Sequence, residues 1–205
     1  MDVLNFKLTQ LIPFLIIYGI IVFFLNRNKK TSIIQQIINL SFFIYILLVV
    51  GNSFLPLPLS EAYIQLSIDQ GTEGINKFIP FTDISNIIKY GSFSVITSQI
   101  IGDLILLAPL GFYAPLIWTK FKNIKTILLL GLISSAVVES TQLIISTIIG
   151  YTYRSFITDD IILYTIGVLM GFLTLKITSP LLRVIANQND IKNDHANWLL
   201  SLRRL

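Results

Sequence analysis

The sequence predicts an all-α protein, a polytopic membrane helical bundle of about five transmembrane helices with its N-terminus out and its C-terminus in. Three observations predict it. The 205 residues are 54% hydrophobic and 13% charged, too apolar for a soluble domain of this length. Five segments approach the ~20 apolar residues that cross a hydrocarbon core about 30 Å thick. Basic residues also concentrate on alternate connections between those segments, as the positive-inside rule requires.

The first span covers about 8–25. One lysine precedes it, no small-residue cleavage site follows it and it ends in RNKK, so it reads as a retained span and not a signal peptide. The second span, 33–55, runs into GNSFLPLP (51–58), a helix end broken by Pro56 and Pro58. An outer loop, 56–98, follows; in it FIPFTDISNIIK (78–89) spaces Phe78, Phe81, Ile84, Ile87 and Ile88 for a short amphipathic helix. That helix would rest on the interface or lid a cavity. The remaining spans are 99–118, 124–149 and 157–178, the last ending in a cytoplasmic tail, 179–205. The whole chain, 1–205, reads as a single transmembrane domain: two N-terminal spans, the loop, a three-span core over 99–178 and the tail. In the tail, ANWLLSLRRL joins Trp198 and leucines to Arg203 and Arg204, a pattern suited to anchoring on anionic lipid.

Charge placement sets the orientation. Arg27, Lys29, Lys30, Lys120, Lys122, Lys125, Lys176, Arg183, Lys192, Arg203 and Arg204 fall on one side, leaving Lys7, Lys77, Lys89 and Arg154 for the other. The net charge of +4 therefore reflects membrane orientation and not a nucleic-acid surface, because the basic residues flank apolar runs. The chain has no cysteine and one histidine, His195 in the tail, which excludes thiolate chemistry and a His-based triad or metal site within the membrane. Neither metal nor cofactor is expected, since P-loop, nucleophile elbow and dinucleotide fingerprint are all missing. The expected location is a plasma membrane, crossed several times, with membrane lipids as partners and a homo-oligomer left open.

The run TILLLGLISSAVVESTQLIISTIIG raises the functional question, because it buries Glu139 and Gln142 in apolar surroundings. On a helix, Gly131, Ser135, Glu139, Gln142 and Ser146 follow steps of three and four and form one polar stripe. The third span aligns Gln99 with Asp103. The fifth begins with Thr158, Asp159 and Asp160, of which Thr158 and Asp159 are plausible N-caps, then offers Tyr164, Gly167, Gly171 and Thr174 along a face. The simplest packing turns these three faces together, with Asp103 and Asp160 near the outer mouth, Glu139 deeper and Arg154 as the nearby cation. A carboxylate near midplane costs a few kcal/mol on insertion scales, so it needs a partner, a proton or water. The competing reading for Gln99, Ser135 and Gln142 is interhelical hydrogen-bond glue. GVLMG (167–171) is a GxxxG close-packing pattern.

Four fragments in order, NKFIPFTDI (76–84), IGDLILLAPLGFYAPL (101–116), SSAVVESTQ (134–142) and YRSFITDDIILYTIGVLMGF (153–172), resemble the VanZ-like family of small bacterial membrane proteins. The resemblance covers about 76–172. It matches Asn76, Pro80 and Phe81; Pro109, Leu110 and Gly111; Glu139 and Gln142; and Arg154, Asp160, Gly167 and Gly171. Three positions depart from it: Asp103 and Tyr164 stand where the family usually has asparagine, and Ile157 where it often has aspartate, so this member is expected to have altered any shared ligand chemistry.

The resemblance implies a role in resistance to teicoplanin-type lipoglycopeptides, with lipid II or the lipid-linked drug as partner. Asp103, Glu139, Gln142, Arg154, Asp159, Asp160, Tyr164 and Asn76 are the candidate cavity residues. Pro80, Phe81, Pro109, Gly111, Gly167 and Gly171 are the candidate structural ones. Three classes of function remain open. A binding or occlusion module ranks first, a small proton-linked transporter or channel subunit second, and an enzyme using Glu139 and Asp160 as acid and base third.

Overall fold

The computed structural model describes residues 3–4, 9, 11–26 and 33–188. The tail segment ANWLLSLRRL and the cluster Arg27, Lys29 and Lys30 lie outside the described residues. Among the described residues seven α-helices follow one another: α1 (Leu11–Asn26), α2 (Ile33–Phe54), α3 (Glu61–Asp69), α4 (Thr82–Tyr90), α5 (Phe93–Ile117), α6 (Ile124–Ile149) and α7 (Thr158–Gln188). Four of them, α2, α5, α6 and α7, are long and apolar enough to cross a membrane. The fifth expected span corresponds to α1, apolar but 16 residues long. A two-residue antiparallel pairing sets β1 (Val3–Leu4) against β2 (Leu57–Pro58).

The long helices are arranged around α7, of whose apolar stretch 44% is buried, against 6% for α2. On one side α7 meets α5 at backbone distance. A Cβ on Gly167 would collide with the Leu104 carbonyl, one on Gly171 with the Ala108 carbonyl, and one on Gly111 with the Val168 carbonyl. Both partners advance by four residues between the first two contacts, so the helices run parallel, and hydrogen at these positions lets two backbones approach as side chains would not. On its other side α7 meets α6 running antiparallel: Gly131 abuts Thr165, and the Ser135 and Thr165 hydroxyls lie 3.5 Å apart. The Gly131, Ser135, Glu139, Gln142 and Ser146 stripe is buried along its whole length, while Leu129, Leu132, Ile133 and Val137 are exposed, the surface expected of a helix facing lipid. α2 joins from outside through an aromatic cluster of Phe42, Tyr45 and Tyr113 and through the Tyr45 hydroxyl, which donates to the Leu106 carbonyl at 3.0 Å.

The connection after α6 does not stay at the surface. Gly150, at φ 72°, closes the helix in the left-handed conformation that glycine adopts without strain, and the chain turns back on itself. The Ser146 hydroxyl then donates to the Arg154 carbonyl at 3.0 Å, and the Ile157 N–H reaches the Glu139 carboxylate at 2.9 Å. Residues 151–157 thus retrace the last ten residues of α6, a descent of about 15 Å, and α7 starts at the level of Glu139. It then continues as helix to Gln188, beyond the expected end at 178.

A second extended segment accompanies the first. The Gly74 N–H donates to the Thr152 carbonyl, Lys77 N–H to the Phe156 carbonyl and Thr158 N–H to the Lys77 carbonyl, at 2.9, 2.8 and 3.0 Å; Lys77 and Ile157 form a parallel bridge. Irregular backbone at membrane depth survives only where protein or water meets its polar groups. Here two such strands meet each other's.

Candidate functional site

The two descending segments end at the same place, and each launches a helix there. α4 starts beside the first turn of α7, held by Asp159. That side chain is 1% exposed and accepts from the N–H groups of Phe81, Asp83 and Ile84, the last two at 2.9 Å. These are orphan donors of the α4 N-terminus, which a carboxylate satisfies best. The expectation that Asp159 caps its own helix is therefore corrected: it caps a helix 76 residues earlier in the chain, because the re-entrant path brings both helix starts together. Phe81 sits at φ 65° at the entry to α4, an uncommon backbone for a bulky residue, and the Asp159 grip on its N–H accompanies that turn.

Between α2, α4, α5, α6 and α7 lies a cavity of about 520 Å³. Its wall includes Asp83, Asp103, Asp159 and Asp160, the guanidinium-bearing Arg154, and the neutral polar groups of Ser53, Gln99, Gln142, Tyr153 and Tyr164; Ile84 and Ile87 of α4 cover one side. Asp83 forms an ion pair with Lys77. Asp159 is committed to α4. Asp103 and Asp160 have no cationic partner among the described residues. Arg154 donates to the Asn52 and Leu55 carbonyls at 3.0 and 2.9 Å, the exposed acceptor end of α2, where a cation is stabilised by unpaired carbonyls and the helix dipole.

Most of the candidate residues converge, though not in the expected order. Asp103, Gln142, Arg154, Asp159, Asp160 and Tyr164 all reach the cavity wall. Glu139 does not: it is fully buried behind that wall, with Oε2 on the Ile157 N–H and Oε1 without a hydrogen-bond partner. The depth order expected for the acids is also reversed. Asp103 stands beside Tyr164, one turn or about 6 Å further along α7 than Asp160, while Glu139 is level with the start of α7. The physical reason is again the descent of residues 151–157. α7 begins level with Glu139, ten residues short of the end of α6.

Asn76 lies outside the cavity, its carboxamide oxygen accepting from the Phe156 N–H at 2.8 Å; it fastens one descending segment to the other. Pro80 and Phe81 form the turn into α4 and are exposed. Pro109 lies within α5 next to the glycine crossing. Gln142 donates from its amide to the Ser53 carbonyl at 2.9 Å, tying α6 to the end of α2. Gln99 reaches the wall through a widened π-helical turn over Thr97–Ile101, a feature often found where a helix serves a site.

Several contributors escaped the reading of the sequence. In the sequence Ser53 and Asn52 read as part of a helix end, and no pattern marks Asp83 or Tyr153 as cavity residues. A polar pair at the close of an apolar run, NS at 52–53, was the available signal for the first two. Burial pushes the Tyr153 phenol above its ordinary value, with neighbouring Arg154 opposing the shift, so its hydroxyl keeps its proton. Among the described residues no three of Asp, Glu, His or Cys gather closely enough to hold a metal ion.

These features define a class: a helical membrane protein in which two extended segments that fold back along the helices build a polar cavity among the long ones. The VanZ/LLP1 family model matches residues 42–179, about two thirds of the chain, and the chain belongs to that family. The match extends the motif region to α2, the helix that contributes Ser53 and the carbonyls holding Arg154. Comparison with curated proteins and with solved structures returns no match.

Proposed function

We propose that the protein is a multi-pass component of a bacterial plasma membrane that contributes to resistance to teicoplanin-type lipoglycopeptides. It would do so by binding or occluding part of a lipid-linked molecule, the drug or a cell-wall precursor such as lipid II, at the outer leaflet. The observation that carries this reading is the cavity, in which Asp103 and Asp160 have no cationic partner and the one arginine is occupied by carbonyls. Such an excess of acceptors suits a ligand rich in hydrogen-bond donors or cationic charge. A volume of about 520 Å³ falls in the range of small-molecule sites, ~300–1,000 Å³, and would take a head group or one arm of a larger molecule. The basic connection at Lys120, Lys122 and Lys125, at the opposite end of α5 and α6 from the cavity, supports an outward-facing site by the positive-inside rule.

The test is expression in a susceptible Gram-positive host, comparing sensitivity to teicoplanin with sensitivity to vancomycin, which has no lipid anchor. A shift for teicoplanin alone is expected, and Asp103→Asn with Asp160→Asn should abolish it while the protein still accumulates. An equal response to both drugs would count against the reading.

A further inference from the structure

The polar cavity adjoins a second pocket on its α2 side. An apolar groove of about 430 Å³ runs between α2 and α5, over Leu48, Val49, Leu55, Ile105 and Pro109, and it shares Asn52 and Leu106 with the cavity wall. Leu48 and Ile105 are 40% and 61% exposed, so the groove opens laterally toward lipid. Next to the shared Asn52 stands Ser53, a residue of the cavity wall that is 3% exposed and whose hydroxyl has no hydrogen-bond partner. The Tyr153 hydroxyl in the same wall also lacks one. Buried hydroxyls are nearly always paired, and two left open in one wall point to a ligand that completes them.

We infer that cavity and groove together seat one amphiphile, with an amine-bearing polar head among Asp103, Asp160, Ser53 and Tyr153 and an acyl chain in the groove between α2 and α5. This inference rests on the binding reading above and names its ligand class. The chain-and-amine chemistry is shared by an acylated drug and by an aminoacylated membrane lipid. Lateral entry follows from the geometry: the acyl chain stays in hydrocarbon throughout, and only the head crosses from the interface into the protein. The groove between α1 and α2, lined by Leu15, Ile37 and Leu40, is also apolar but shares no residue with the cavity wall, and serves as an internal control.

The full chain in phosphatidylcholine nanodiscs is photolysed with a dodecylamine carrying a terminal diazirine, or with the matching dodecanol. Peptide mass spectrometry should find amine adducts at Leu48, Ile105 and Leu106 about tenfold above alcohol adducts, a factor equivalent to about 1.4 kcal/mol, with no such excess at Leu15 or Leu40. Asp103→Asn with Asp160→Asn should remove the excess. Ile105→Trp, at a lipid-exposed position where folding is not at stake, should displace the adducts. Competition identifies the source: suppression by teicoplanin but not vancomycin assigns the drug, suppression by an aminoacylated phosphatidylglycerol assigns the lipid, and either supports the shared chemistry. Equal labelling by amine and alcohol, or an amine excess that survives both sets of substitutions, overturns the inference. An unchanged teicoplanin response in the host alongside the expected labelling would remove the resistance reading alone; full protection by Ile105→Trp together with unaltered labelling would remove this inference alone.

Discussion

Two carboxylates show how differently a buried acid can be accommodated. Asp159 meets three backbone donors and is consumed by structure; Glu139 meets one and keeps a buried oxygen unpaired. Removing Asp159 strands three donors in a buried site, so Asp159→Ala should lower the unfolding free energy by about 3 kcal/mol, and Asp159→Asn, which keeps an acceptor, by about half of that. Reversible unfolding in mixed micelles measures both, and an alanine variant within about 0.5 kcal/mol of the parent would refute the assignment. Glu139→Gln retains an oxygen for the Ile157 N–H, so it should fold and accumulate normally, whereas Glu139→Ala should cost about 2 kcal/mol. Limited proteolysis in the 151–157 segment distinguishes them: only the alanine variant should be cut faster. The polar motif residues thus divide by partner. Asn76, Gln142 and Asp159 hold backbone; Asp103 and Asp160 face the cavity without a cation.

At the scale of elements, the site depends on a close crossing and on two descending strands. α5 and α7 can carry Asp103 and Asp160 to one cavity only because Gly111, Gly167 and Gly171 let the helices touch. Gly171→Ala should therefore destabilise by about 2 kcal/mol through backbone displacement, even though alanine favours a helix by about 1 kcal/mol. Gly102, where an added Cβ meets nothing within 4 Å, is the control; Gly102→Ala should be neutral or slightly stabilising in the same unfolding measurement. The paired extended segments 74–79 and 152–157 depend on each other in another way. Neither has helical hydrogen bonds of its own, and each supplies partners that water would supply at the surface.

For the whole molecule, the absence of cysteine makes orientation measurable with single substitutions in an otherwise native chain. Ser98→Cys, at the cavity wall, should react with a membrane-impermeant thiol reagent added to intact cells. Lys120→Cys should react only after the membrane is opened. The opposite pattern would invert the topology and move the cavity to the cytoplasmic side. The parity of spans bears on the N-terminus alone, since α1 is shorter than its four companions; the sidedness of the cavity depends on α5, α6 and α7.

The sequence by itself determined that this chain forms apolar helices, where α2 and α6 run to within a residue, that α6 carries one polar stripe, and that its motifs belong with the VanZ-like proteins. Those conclusions follow from local quantities, hydropathy summed over a span and side chains repeating every three or four residues. Tertiary structure alone decided that residues 151–157 turn back along α6, that Asp159 serves α4, that Glu139 stands behind the cavity wall, and that Ser53 stands in it. Each of these depends on which backbone donors and acceptors meet across 18 to 102 positions of sequence. In hydrocarbon every such group must find a partner inside the protein, and periodicity along one helix carries no information about which partner that is.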